Sequence, residues 1–223
     1  MAGTICITSD YWWNDRTAQW YEMYIRGFRG TYFVAPETVN TSTFPNSDDL
    51  TLLKAWGHEL GGYTNNSGDN MVTMFANNRA TALAKLNTIK SSMATLGFPI
   101  VSLAPTGRVW NTNLANICTD LYKQVRVCNT GSAIQSYPIP NPLFVNDAAF
   151  ASLGTGVTLQ QVKDNIDAAI AANGLAVFVI HKIGPTADPY TWSNSDWTAM
   201  LDYLTSKGSQ VRVVPFREAM TQG

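Results

Sequence analysis

The sequence predicts one α/β domain built of βα units around a largely parallel sheet or barrel. Short apolar runs alternate with helical stretches along the whole chain, the pattern of strands joined by crossover helices. The 223 residues, 45% of them apolar, suffice for one sizeable core and are too few for two ordinary domains and a linker.

The elements follow in order. Thr4 to Ser9 is a first buried strand, and Arg16 to Phe28 places Trp20, Met23, Tyr24 and Gly27 at helical spacing. Thr31 to Ala35 is the second strand, closed by Pro36. A polar loop from Glu37 to Asp48 leads to a short helix, Asp49 to Trp56, with Asp48 or Asp49 as its cap. His58 to Tyr63 is the third strand. Met71 to Leu96 reads as one long helix, stopped by Gly97-Phe98-Pro99. Ile100 to Leu103 is a strand that ends in the turn Ala104-Pro105-Thr106-Gly107. Asn113 to Leu121 is helical and Gln124 to Cys128 a strand. Asn129 to Asn146 is a Pro-rich loop too long for a plain connector. Leu159 to Ala172 is a helix, Leu175 to Ile180 a wholly apolar strand that delivers His181, Ser195 to Ser206 a helix, and Val211 to Val214 an edge strand.

Composition narrows the partners. A net charge of -1 and a charged fraction of 14% supply no basic face for nucleic acid or an anionic membrane. A surface of Ser, Thr, Asn and Gln suits neutral hydrogen-bonding ligands such as sugars, and is equally common in extracellular and viral fibre proteins. No run approaches the roughly 20 apolar residues of a spanning helix, and no basic-then-apolar secretory leader is present. An extracellular or virion role stays open, and oligomeric state leaves no trace. Cys6, Cys118 and Cys128 match no metal or redox spacing, and read as buried free thiols in preference to a Cys118–Cys128 disulfide.

The run Ala55 to Asn66, A-W-G-H-E-L-G-G-Y-T-N-N, holds a Gly57-His58-Glu59-Leu60-Gly61 frame. Around it stand Ile5-Cys6-Ile7-Thr8-Ser9-Asp10, Gly30-Thr31-Tyr32-Phe33-Val34, Leu103-Ala104-Pro105-Thr106-Gly107, Phe178-Val179-Ile180-His181 and Leu201 to Gly208. In kind and order these segments resemble the polysaccharide deacetylase (NodB-homology) family over nearly the whole chain. The resemblance implies a distorted (β/α)7-type barrel with its site at the C-terminal strand ends, where barrel chemistry generally sits. It implies Asp10 as catalytic base and His181 as catalytic acid. The three metal-ligand positions fall on Tyr11, Tyr63 and Ser67, which offer neither carboxylate nor imidazole, so no metal and no other cofactor is expected. The arginine that orients the base in many members falls at Leu103, for which Arg108 is a candidate substitute, and the aromatic of that turn at Thr106. Asp147 lies in about the interval of the aspartate that orients the histidine.

Each residue also has a plainer reading. His181 follows five apolar residues at a strand end, which favours an acid or ligand-binding role over core packing, whereas His58 reads as a satisfied buried histidine. Asp10 is either functional or the cap of the next helix. Trp12, Trp13, Trp110 and Trp192 are candidates for a sugar-stacking wall beside Tyr63, Thr106, Gly107 and Arg108, with core packing as the alternative. Asp15 and Asp69 read as solvated surface residues. Two functions follow: a divergent carbohydrate deacetylase or esterase acting through Asp10 and His181 without a metal, or a carbohydrate-recognition domain, of a phage tail or cell surface, that has lost the reaction. Either implies an acetylated glycan as partner.

Overall fold

A computed structural model of the chain describes residues 2–10, 17–42, 44–64, 70–127, 134–147, 152–154, 156–185 and 189–221. In chain order the elements are β1 (Gly3–Asp10), α1 (Thr17–Ile25), β2 (Thr31–Val34), α2 (Ser47–Ala55), β3 (Glu59–Tyr63), α3 (Met71–Asn77), α4 (Arg79–Thr95), β4 (Ser102–Ala104), α5 (Thr112–Ile117) and β5 (Gln124–Val127). There follow β6 (Val145–Asn146), β7 (Ser152–Leu153), α6 (Leu159–Ala172), β8 (Leu175–Ile180), β9 (Lys182–Ile183), β10 (Thr191–Trp192), α7 (Asn194–Ser206), β11 (Val211–Val213) and α8 (Phe216–Ala219).

One nine-stranded sheet runs β6-β5-β4-β3-β2-β1-β8-β7, with β11 paired to β1. All its pairings are parallel, as βαβ crossovers require. Strand β1 is its axis: β8 runs along one side, while on the other β11 pairs with Gly3 to Ile5 and β2 with Thr8 to Asp10. The sheet curls into a half-barrel surrounded by helices, and one contact shows how strongly. Arg126 of β5 bonds Asp10 of β1, although four strand spacings in a flat sheet would separate them by roughly 19 Å, beyond the reach of an arginine.

Period-two alternation sorts the strand residues into two layers. Ile5, Ile7, Tyr32, Val34, Leu60, Leu103, Val125, Phe178 and Ile180 belong to the large cluster shared with the helices. Cys6, Phe33, Tyr63, Ala104, Leu175 and Val177 form a second cluster inside the lumen. The odd positions of β1 thus pack outward and its even positions inward.

Helices start where short polar side chains can take up orphan backbone N–H groups. Asn46, Asn70, Asn78, Asn111, Thr158 and Ser193 cap α2, α3, α4, α5, α6 and α7. Part of the Asn, Ser and Thr content that suggested a sugar-facing surface is therefore capping chemistry. The same caps correct two expectations. The cap of α2 is Asn46, with Asp49 closing a capping box instead of capping the helix itself. The stretch Met71 to Leu96 is two helices, because Asn78 at φ -157° ends α3 and caps α4. The Pro-rich segment contributes β6, which was not expected. Cys6 and Cys118 are buried free thiols, as read, with burial pushing the Cys118 pKa up to about 12; Cys128 lies outside the described residues. Among the described residues no helix is long and apolar enough to cross a membrane.

Candidate functional site

Two of the buried carboxylates among the described residues, Glu59 and Asp10, lie in the lumen at different heights. At the floor, formed by the strand starts, Glu59 Oε2 accepts from Thr31 Oγ1 at 2.9 Å and from the Arg217 N–H at 2.7 Å. Its Oε1 accepts from Ser102 Oγ, which in turn accepts from Gln124 Nε2 at 2.6 Å. Thr31 Oγ1 also accepts from the Phe216 N–H at 2.7 Å, tying α8 to the floor. Burial raises the Glu59 pKa against the lowering effect of these bonds. His58, next in sequence, is 4% exposed; its Nδ1 accepts from the Gly30 N–H at 3.0 Å. The proton is thereby assigned to Nε2, which faces the Trp20 carbonyl at 3.2 Å. Burial lowers the His58 pKa to about 4. This is the satisfied buried histidine that the sequence suggested.

At the mouth, formed by the strand ends, Asp10 is 4% exposed. Arg126 Nη2 donates to its Oδ1 from across the lumen, and the guanidinium lies 5.2 Å from the centre of the Phe33 ring. Arg126 is fully buried. It was not among the candidates drawn from the sequence. Leu103, the position matched to the base-orienting arginine, packs in the outer cluster, and it is Ala104 that faces the lumen. The cation that meets Asp10 therefore comes from β5 and not from β4. A sequence signal did exist: in Gln-Val-Arg-Val, Gln124 and Arg126 alternate with Val125 and Val127, so both polar residues share the inward face.

Ser9 pairs with Ile180, so Asp10 and His181 leave neighbouring parallel strands at the same level. Parity continues through Thr8 and Val179, which oppose one another on the lumen side. His181 is half-buried, and its ring lies 5.5 Å from that of Tyr190. Tyr63 ends β3 in the lumen cluster. Asp147, just past β6, is buried.

Other candidates stand elsewhere. Trp110 and Trp192, expected as sugar-facing, are core residues exposed by 6% and 2%. Their indole N–H groups donate to Leu143 O and Val157 O, each at 3.0 Å, so their polar ends are used internally. The N–H of Thr106, in the turn after β4, donates to Thr64 Oγ1 at 2.7 Å. Gly107 makes the turn at φ 67°, where a glycine is favoured. Tyr11, Trp12, Trp13, Asp15, Ser67 and Asp69 and the side chain of Arg108 lie outside the described residues.

The residue types at the positions that the resemblance assigns to a metal do not fit a transition-metal ion. Of the three ligand positions, the one described holds the Tyr63 phenol, and the other two are Tyr11 and Ser67 in the sequence. Among the described residues no three His, Cys, Asp or Glu side chains gather into a cluster.

No family model and no curated protein sequence matches the chain. Solved structures do. Peptidoglycan deacetylase PdaC from Bacillus subtilis matches with a TM-score of 0.61 at 13% identity, over 99% of this chain and 93% of that one. The Xyl-CE4 domain of a multidomain xylanase from the hindgut metagenome of Trinervitermes trinervoides gives 0.59 at 13% identity, over 98% and 90%. A CE4 family pseudoenzyme from Bacillus anthracis gives 0.60 at 14% identity, over 99% of this chain and 66% of that one. Together with the parallel half-barrel, these matches show that the fold of this chain is that of the CE4, NodB-type polysaccharide deacetylases.

Proposed function

We propose that this chain is a saccharide-directed acyl hydrolase that removes O-acetyl groups through Asp10 and His181 without a metal. The observation that supports it most is the shared level at which Asp10 and His181 leave β1 and β8, with Arg126 bracing Asp10 from the opposite wall. In this reading Asp10 takes the proton of a water as its oxygen attacks the ester carbonyl. His181, protonated, gives its proton to the departing sugar oxygen, so acetate and a free hydroxyl result. General acid–base assistance is worth about 10²–10⁴-fold, or about 3–5 kcal/mol off the barrier. That magnitude suits an ester, whose alkoxide leaves with one proton, and falls short for a sugar acetamide. A buried ion pair seldom stabilises a fold more than apolar side chains of equal volume would. Keeping Arg126 against Asp10 is therefore better understood as holding a carboxylate in place.

A second reading, glycan binding without turnover, is favoured by the 4% exposure of Asp10, which a water must reach in order to react. Acetate release from O-acetylated xylo-oligosaccharides separates the two. The expected result is turnover that persists in chelator and falls at least a hundredfold in both Asp10→Asn and His181→Ala. Binding by the wild type with no release assigns the recognition role instead, and release untouched in both variants removes the Asp10–His181 mechanism.

A further inference from the structure

We infer that Tyr190 is the platform on which a pyranose ring stacks at the mouth, presenting its acyl group to His181. This rests on the saccharide-directed reading above and adds a residue that nothing so far has assigned. Tyr190 is 64% exposed, the most exposed large hydrophobic side chain among the described residues. Its ring stands at 55° to the His181 ring, centroids 5.5 Å apart, so the exposed phenol ring and the half-buried imidazole are direct neighbours.

The backbone beneath this exposed ring is held on two sides. The Tyr190 carbonyl accepts from the Lys182 N–H at 3.1 Å, and the next residue, Thr191, pairs with Lys182 in the β9–β10 ladder. Past β7, Gly154 lets the Pro189 carbonyl come so close that a Cβ there would collide with it. A tyrosine on an anchored backbone loses only two side-chain torsions on binding and offers a broad amphipathic face. Its ring matches the apolar C–H face of a sugar, while the phenol oxygen stays wet. The contrast with Trp192 is local: two residues on, the larger aromatic is 2% exposed and its N–H is spent on Val157. An aromatic recruited for packing alone would be buried as Trp192 is.

The test is steady-state hydrolysis and calorimetric binding of O-acetylated xylohexaose by wild type, Tyr190→Phe and Tyr190→Ala. Loss of a stacked ring predicts a rise of about tenfold in KM and Kd for Tyr190→Ala, with kcat changing far less, and near wild-type values for Tyr190→Phe. Unchanged KM and Kd in Tyr190→Ala overturn the inference. So does a fall in kcat at constant KM, which marks Tyr190 as a prop for His181. A wild type that neither binds nor hydrolyses the probe removes this inference together with the proposed function, whereas an active wild type whose KM ignores Tyr190 removes this inference alone.

Discussion

Glu59 and Asp10 are both carboxylates buried in one lumen, yet they are satisfied in opposite ways. Glu59 at the floor is surrounded by neutral donors, two hydroxyls and a backbone N–H, and burial raises its pKa. Asp10 at the mouth faces the guanidinium of a fully buried arginine. Donated hydrogen bonds and a facing guanidinium both favour the charged form of a carboxyl group and burial opposes them; at Glu59, which meets no full charge among these donors, burial outweighs the bonds. The floor is thus built for packing and the mouth for charge, which matches the division between stability face and chemical face that parallel barrels show in general.

Removing the cation should disturb the mouth most. Arg126→Met should lower the unfolding free energy by about 3–5 kcal/mol in urea titrations at neutral pH, because it leaves a carboxylate alone in the lumen. Adding Asp10→Leu to that variant should return most of the loss. If the single variant costs under about 1 kcal/mol, the ion pair is not what holds Asp10 in the lumen and the contrast with Glu59 disappears.

The floor is sharpened by pH, where neighbours in sequence pull in opposite directions. His58, lowered to about 4, is neutral in the fold, so the unfolded chain binds more protons between that value and the usual histidine range. Its contribution is complete above about pH 6.5 and lost as pH falls toward 4, worth about 3 kcal/mol. Glu59, raised, acts in the other direction: its contribution is present below the usual carboxylate range and is lost as pH rises through its folded pKa. Stability measured from pH 7 to pH 4 should therefore fall more steeply in Glu59→Gln than in the wild type. A shallower slope in that variant would show that Glu59 is ionised in the fold across this range.

The legibility of the chain followed the strength of its local signals. Helix α6 and strand β8 lie where the periodicity put them, since an amphipathic run with a capping box and an uninterrupted apolar run leave no competing choice. The break at Asn78 was hidden because asparagine is tolerated inside a helical pattern until its side chain is seen accepting from Thr81 N. Arg126 was missed because the resemblance directed attention to β4, while the alternation in β5 that aims it inward is only four residues long. Nothing in the sequence separates Tyr190 from Trp192. Which aromatic is buried depends on Val157, 35 positions from Trp192 in the chain, and its carbonyl.

In the proposed mechanism the mouth works through Asp10 and His181, braced by Arg126, with no metal ion taking part. Acetate release from O-acetylated xylohexaose by metal-stripped protein should then run at the same rate with and without added zinc or cobalt. Activity that vanishes on stripping and returns with one equivalent of divalent ion would contradict it.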